Sequence, residues 1–151
     1  MQTTLRQTEP SHIAYKVEYV FSALDEAWPV VEPMIQAALD RGGDDIPASD
    51  VKALIADKRA SLWVVREGGE IVAAQVMHLP DDRDAVMVWL MGGRDFAEWQ
   101  PVMQPLLQRY ARDHGRRWVE CNARPGIGRL LRKQGWRTSH ELVRIEASDY
   151  E

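Results

Sequence analysis

The cations of this chain are concentrated where they could hold an anion. Residues 92–145 contain 11 Lys+Arg against 5 Asp+Glu, whereas residues 1–91 contain 8 against 15, so segments of +6 and −7 share a chain of net charge −4. A basic half on an acidic body implies a face suited to a polyanion: a nucleotide cofactor, nucleic acid or an acidic protein surface. Its densest part is RPGIGRLLRKQGW at 124–136, where Arg129, Arg132 and Lys133 surround a short helical stretch with Leu130 and Leu131 on its apolar side. His78 and Glu120 have the chemistry of a general base. Metal and nucleophile motifs are missing, with no Cys-x-x-Cys, His-x-x-x-His or Gly-x-Ser-x-Gly. Cys121 is the only cysteine, so no intrachain disulfide can form and a buried thiol on a strand is expected.

The elements that must position these residues follow from periodicity. YKVEYVF at 15–21 alternates as a strand does, with Tyr15, Val17, Tyr19 and Phe21 on one side. Ser22 offers an N-cap with Asp25 three residues on, and Trp28, Val31, Ile35 and Leu39 recur at helical spacing up to Gly42-Gly43. Pro33 is expected to kink or break that helix. A second helix, capped by Ser49, turns Val51, Leu54 and Ile55 inward. Residues 61–66 and 70–79 read as a hairpin around Glu67-Gly68-Gly69, and AVMVWLM at 85–91 as an apolar central strand.

Residues 96–114 are helical by pattern, with Leu106, Leu107 and Tyr110 inward, a start blurred by Pro101 and Pro105, and Gly115 as the stop. A fifth strand at Trp118, the basic helix closed by Gly135 and a final antiparallel pair over 136–145 complete the order. Trp28, Trp63, Trp89, Trp118 and Trp136 fall on apolar faces, while Trp99, beside Glu98 at the blurred helix start, could stack on an adenine, anchor a partner or pack in the core.

At 151 residues, with 45% apolar and 28% charged residues, the chain suits one domain over 1–151. No stretch approaches the roughly 18 apolar residues of a membrane span, and MQTTLRQTEPSH lacks the apolar region of a signal peptide. A cytoplasmic protein is expected. Nucleic acid ranks behind a nucleotide cofactor or protein partner, because no recognised module is visible and the overall charge is negative.

Strand, two helices, three antiparallel strands, helix, strand, short basic helix with a Gly-aromatic stop, then a final hairpin: over about residues 14–146 this order resembles the GCN5-related N-acetyltransferase (GNAT) superfamily. GDDIPASDVKALI, SLWVVREGGEIVAAQV and RPGIGRLLRKQGW are most similar to small GNAT-like proteins encoded by bacteriophages. The resemblance implies an α/β (α+β) fold with a mixed, mostly antiparallel sheet, helices on both faces and a splay between strands four and five.

It also implies acetyl-CoA bound at that splay, with Leu90, Met91, Gly92, Gly93 and Arg94 around the pyrophosphate and Arg129, Arg132 and Lys133 on the 3'-phosphate. Closely spaced N–H groups at a helix start, unobstructed by side chains, present positive partial charge to such an anion. The loop departs from the family pattern Gln/Arg-x-x-Gly-x-Gly/Ala, and Asp95 with Glu98 reads as a capping box that would occupy those donors. The tyrosine that many members place four residues before the Gly-aromatic stop, to protonate the leaving thiolate, is Leu131 here, and the usual asparagine seven residues earlier is Arg124. Glu120, on the strand bordering the cleft, is the implied general base. Two functions follow: acetyl transfer to a small-molecule or protein amine, or a catalytically degenerate protein of the same fold that binds a partner, as a virion component or an inhibitor of a host protein. The sequence leaves the oligomeric state open.

Overall fold

The structure, a computed structural model, describes residues 15–140 and 143–147. The chain divides into two compact units, Met1–Cys121, which contains the whole sheet, and Asn122–Glu151, which contains the last helix. In the first unit the order is β1 (Tyr15–Val20), α1 (Leu24–Gly42), α2 (Ala48–Ala56), β2 (Ser61–Glu67), β3 (Glu70–His78), β4 (Ala85–Gly93), α3 (Phe96–Asp113) and β5 (Trp118–Cys121). The five strands lie side by side in sequence order. Successive neighbours are antiparallel as far as β4. β5 is parallel to β4, as its return through a crossover helix requires. This is the expected mixed sheet.

Helices cover both faces. α1 and α2 bury Trp28, Val31, Ile35, Leu39, Val51 and Ile55 with Leu62, Val64, Val76 and Leu90 of the sheet. α3 buries Trp99, Met103, Leu107 and Ala111 against Trp63, Val65, Val72, Met77, Val86 and Val88 on the other side. Gly68 and Gly69, both at positive φ, close the β2–β3 hairpin in two residues, a backbone that a side chain would strain.

Several local expectations are corrected. α1 is one continuous helix through Pro29 and Pro33. Its N-cap is Ala23 rather than Ser22, and no side chain caps it. α2 begins at Ala48 after Pro47, without a Ser49 cap. The Ala48 N–H is satisfied instead by Gln36 Oε1 of α1 at 3.0 Å, a tertiary contact that replaces the local one. Asp95 precedes α3 in a left-handed conformation and makes no side-chain cap bond, so the capping box with Glu98 does not form. Trp99 is core, 2% exposed.

In the second unit α4 (Pro125–Lys133) starts on a proline at its first turn, where the missing N–H costs nothing, and ends before Gly135 at φ 97°. Leu131 is its buried residue. The described residues between 136 and 147 contain no strand. Residues 141 and 142 of the expected final pair lie outside the described ones.

Candidate functional site

The site begins where β4 loses a neighbour. Ala85, Val86, Met87 and Val88 pair with Trp118, Val119, Glu120 and Cys121, and the pairing ends there. On the opposite edge the β3–β4 register slips at the same place, with Met77 opposite Val88 and Val76 opposite Leu90, so that Trp89 is an extra residue. Such a bulge bends a strand and increases its twist, which turns the rest of β4 away from its former direction. Among the described residues, no strand pairs with Trp89 to Gly93 on the β5 side. An unpaired edge of β4 therefore begins where the splay between strands four and five is expected.

The ladder fixes which backbone groups face this opening. The Arg94 N–H donates to the Val72 carbonyl at 3.0 Å, which makes Ala73 and Gly93 a non-hydrogen-bonded pair. Gln75 and Met91, one step of two residues away, form another. In such pairs the N–H and C=O groups point away from the partner strand. Those of Met91 and Gly93 thus point from β3 into the splay, and Arg41 of α1 already donates Nη2 to the Met91 carbonyl at 3.3 Å.

The two glycines are required by packing. A Cβ at Gly92 would collide with the Met34 carbonyl of α1, and one at Gly93, where φ is 111°, with the Val72 carbonyl. Leu90 is buried beneath α1. Arg94 is half exposed and pairs loosely, at 3.7 Å each, with Glu70 and Asp95. The Asp95 carboxylate also accepts the Tyr15 hydroxyl at 3.0 Å. Lost hydration and that bond push the Tyr15 pKa up to about 12. Trp99 Nε1 donates to the Arg94 carbonyl at 2.9 Å, so the indole pins the turn from the core side.

Leu90, Met91, Gly92, Gly93 and Arg94 are thus brought together at the end of β4. Arg129, Arg132 and Lys133 belong to the second unit, where they are exposed on α4 at spacings of three and four, which share a helix face. Arg132 Nη1 donates to Thr138 Oγ1 at 3.3 Å.

The two proton acceptors lie in one row. His78 pairs with Met87 and Met87 with Glu120, and residues paired across strands share a face of the sheet. Both Glu120 oxygens are taken by Arg83, whose Nε and Nη2 donate at 2.6 and 2.7 Å. That fork holds the carboxylate by two charge-assisted hydrogen bonds. His78 is half-buried, and burial lowers its pKa from the ordinary imidazole value, so it is neutral at pH 7. Trp89, the bulge residue, stands edge-on to it with ring centroids 6.1 Å apart. The Cys121 thiol is pushed up to about 11 by burial, as suits a structural cysteine.

Sequence reasoning missed Arg41, because a basic residue in a last helical turn already has a reason in the helix dipole. It also missed a cleft of about 250 Å³ beside the row, lined by Leu54, Arg59, Ala60, His78 and Trp89. Among the described residues there is no His/Cys/Asp/Glu group fit for a metal, and no helix long and apolar enough to cross a membrane.

No family model and no curated protein sequence matches the chain. Solved structures do. An aminoglycoside acetyltransferase from an uncultured soil metagenomic sample, solved with sisomicin, is 11% identical with a TM-score of 0.64, covering 91% of this chain and 97% of its own. A predicted acetyltransferase from Clostridium acetobutylicum, solved with acetyl-CoA, is 11% identical with a TM-score of 0.64, covering 87% and 96%. A ribosomal-protein-alanine N-acetyltransferase from Brucella melitensis biovar Abortus 2308 is 17% identical with a TM-score of 0.62, covering 89% and 100%. At such identities the likeness is one of architecture, and the architecture is the GNAT fold.

Proposed function

We propose that this protein transfers an acetyl group from acetyl-CoA to an amine. The observation that carries the reading is the unpaired stretch of β4 after Val88, with the Met91 and Gly93 backbone groups turned into the splay. An exposed strand edge binds an extended, amide-bearing ligand as an added strand, and a pantetheine arm is such a ligand. The residues beyond the edge suit phosphates: Arg94 and Arg41 supply charge, and the first turn of α3, which no side chain caps, supplies N–H groups. Arg94 leaves only two loose exposed ion pairs to serve there. Arg129, Arg132 and Lys133 form, within the second unit, a basic helix face that by itself suits a phosphate group.

Acetyl-CoA supplies the acyl group: the amine nitrogen bonds to its carbonyl carbon as the C–S bond breaks, and the thiolate leaves to take a proton from water. His78, neutral and facing the bulge, accepts the proton that the amine gives up. Glu120, held at both oxygens by Arg83, fixes the β5 end of the row. Leu131 cannot donate a proton, which is why solvent fills that role. The test is release of free thiol from acetyl-CoA across an amine panel, with His78→Gln as control. Release by the wild type and its loss in the variant are expected; no amine-dependent release from any acceptor defeats the reading.

A second reading, a catalytically degenerate GNAT-fold protein that works by binding, as a phage virion component or an inhibitor of a host protein, is favoured by Leu131 at the tyrosine position. It requires a stable protein complex without thiol release, which native mass spectrometry alongside the same assay distinguishes.

A further inference from the structure

The cleft of about 250 Å³ beside His78 is smaller than the roughly 300–1,000 Å³ of a drug-sized ligand site, so it suits a small molecule or the end of a chain. Its walls differ in kind. Leu54, Ala60 and Trp89 are apolar, His78 is a neutral imidazole, and Arg59 is the one cation lining it. Arg66, Arg83 and Arg94 all have carboxylate partners. Among the described residues Arg59 has none, and its guanidinium makes no ion pair or hydrogen bond with any of them.

The backbone that presents it is strained. Lys58, just before it, has φ 62° in the turn that ends α2, a place glycine would fill at lower energy. The Arg59 N–H closes that turn on the Leu54 carbonyl at 2.9 Å, so cleft residues Leu54 and Arg59 are held by one hydrogen bond.

We propose that Arg59 binds a carboxylate in this cleft, and that the acceptor is a small amine bearing that carboxylate next to its nitrogen, a free α-amino acid. The guanidinium fork takes the carboxylate, Leu54 and Trp89 take the apolar side chain, and the amine lies toward His78. The word acceptor rests on the acetyl-transfer reading; the carboxylate subsite does not. A polyamine, carrying only positive charge, is excluded by the same guanidinium.

The Trp89 indole N–H resonance, assigned by its loss in Trp89→Phe, is the reporter. L-alanine, L-leucine and L-phenylalanine are each titrated against their amides and against spermine, into wild type and Arg59→Gln. At least one free amino acid is expected to shift the resonance saturably, with its amide about tenfold weaker, spermine without effect, and Arg59→Gln erasing the difference. Amides that bind as well as acids, a ratio unmoved by Arg59→Gln, or no shift from any amino acid overturns the proposal. A parallel acetyl-CoA titration separates the two ideas: heat from acetyl-CoA without an amino-acid shift removes only the subsite, and the reverse removes only the transfer reaction.

Discussion

Val88 of β4 pairs with Cys121 of β5, and this is the last pair the two strands make. The next residue, Trp89, is the bulge against β3. The bulge therefore falls one residue beyond the end of the parallel pairing, where the strand edge on which the functional reading stands begins.

Because the Met91 N–H points away from β3, proline at that position removes a donor only from the open edge, where sheets tolerate it. Met91→Pro is expected to fold, as judged by circular dichroism, and to bind acetyl-CoA about tenfold more weakly, the cost of roughly one hydrogen bond. Unchanged affinity in a folded variant would remove the added-strand mode of binding.

Gly92 faces the backbone of α1 so closely that any side chain must displace the helix. Gly92→Ala is expected to lose about 1–3 kcal/mol in urea denaturation, the usual cost of overpacking. A neutral result would show that α1 can move there.

His78 and Glu120 are separated by what already holds them. His78→Gln should lower turnover by about a hundredfold, the scale of a lost general base, while Glu120→Gln should cost less than tenfold. The opposite ranking would move the base to Glu120.

Burial lowers the His78 pKa, so below the ordinary value of about 6.5 the unfolded chain binds a proton that the folded one resists. Stability is therefore expected to fall as pH drops through about 6.5, and His78→Gln should flatten that part of the profile. Urea midpoints at several pH values from neutral to mildly acidic decide it; identical slopes in both proteins would place the group in water.

Arg116 ties the β3–β4 turn to the start of β5: its Nη1 donates to the carbonyls of Pro80 at 2.6 Å, Arg83 at 2.7 Å and Ala85 at 3.2 Å. Arg116→Ala should cost about 1.5–3 kcal/mol, as for hydrogen bonds to a charged group, and Arg116→Lys should restore only part of it. Equal stability of all three proteins by urea denaturation would show that the turn holds itself.

Local patterns were legible where local physics decides. Alternation in YKVEYV and the Gly68-Gly69 pair specify strand and hairpin, and the helical spacing of Trp28, Val31, Ile35 and Leu39 specifies the buried face of α1. Ser22 and Ser49 misled as caps because capping depends on backbone angles and competing donors, and the Ala48 N–H is taken by Gln36 from another helix. The bulge at Trp89 left no trace, since AVMVWLM is apolar throughout and an extra residue does not break its pattern. The partner that holds Glu120 could not be read locally, because Arg83 lies 37 residues earlier. Arg59 attracted no notice in an ordinary charged turn, and its cleft exists only once α2, β3 and β4 come together.

Calorimetric titration of the wild-type protein with acetyl-CoA tests the central claim most directly. The open edge of β4 predicts a saturable heat with half-saturation between about 1 µM and 1 mM, the usual range for enzyme substrates. No heat at millimolar acetyl-CoA would contradict it and leave the GNAT fold without the GNAT ligand.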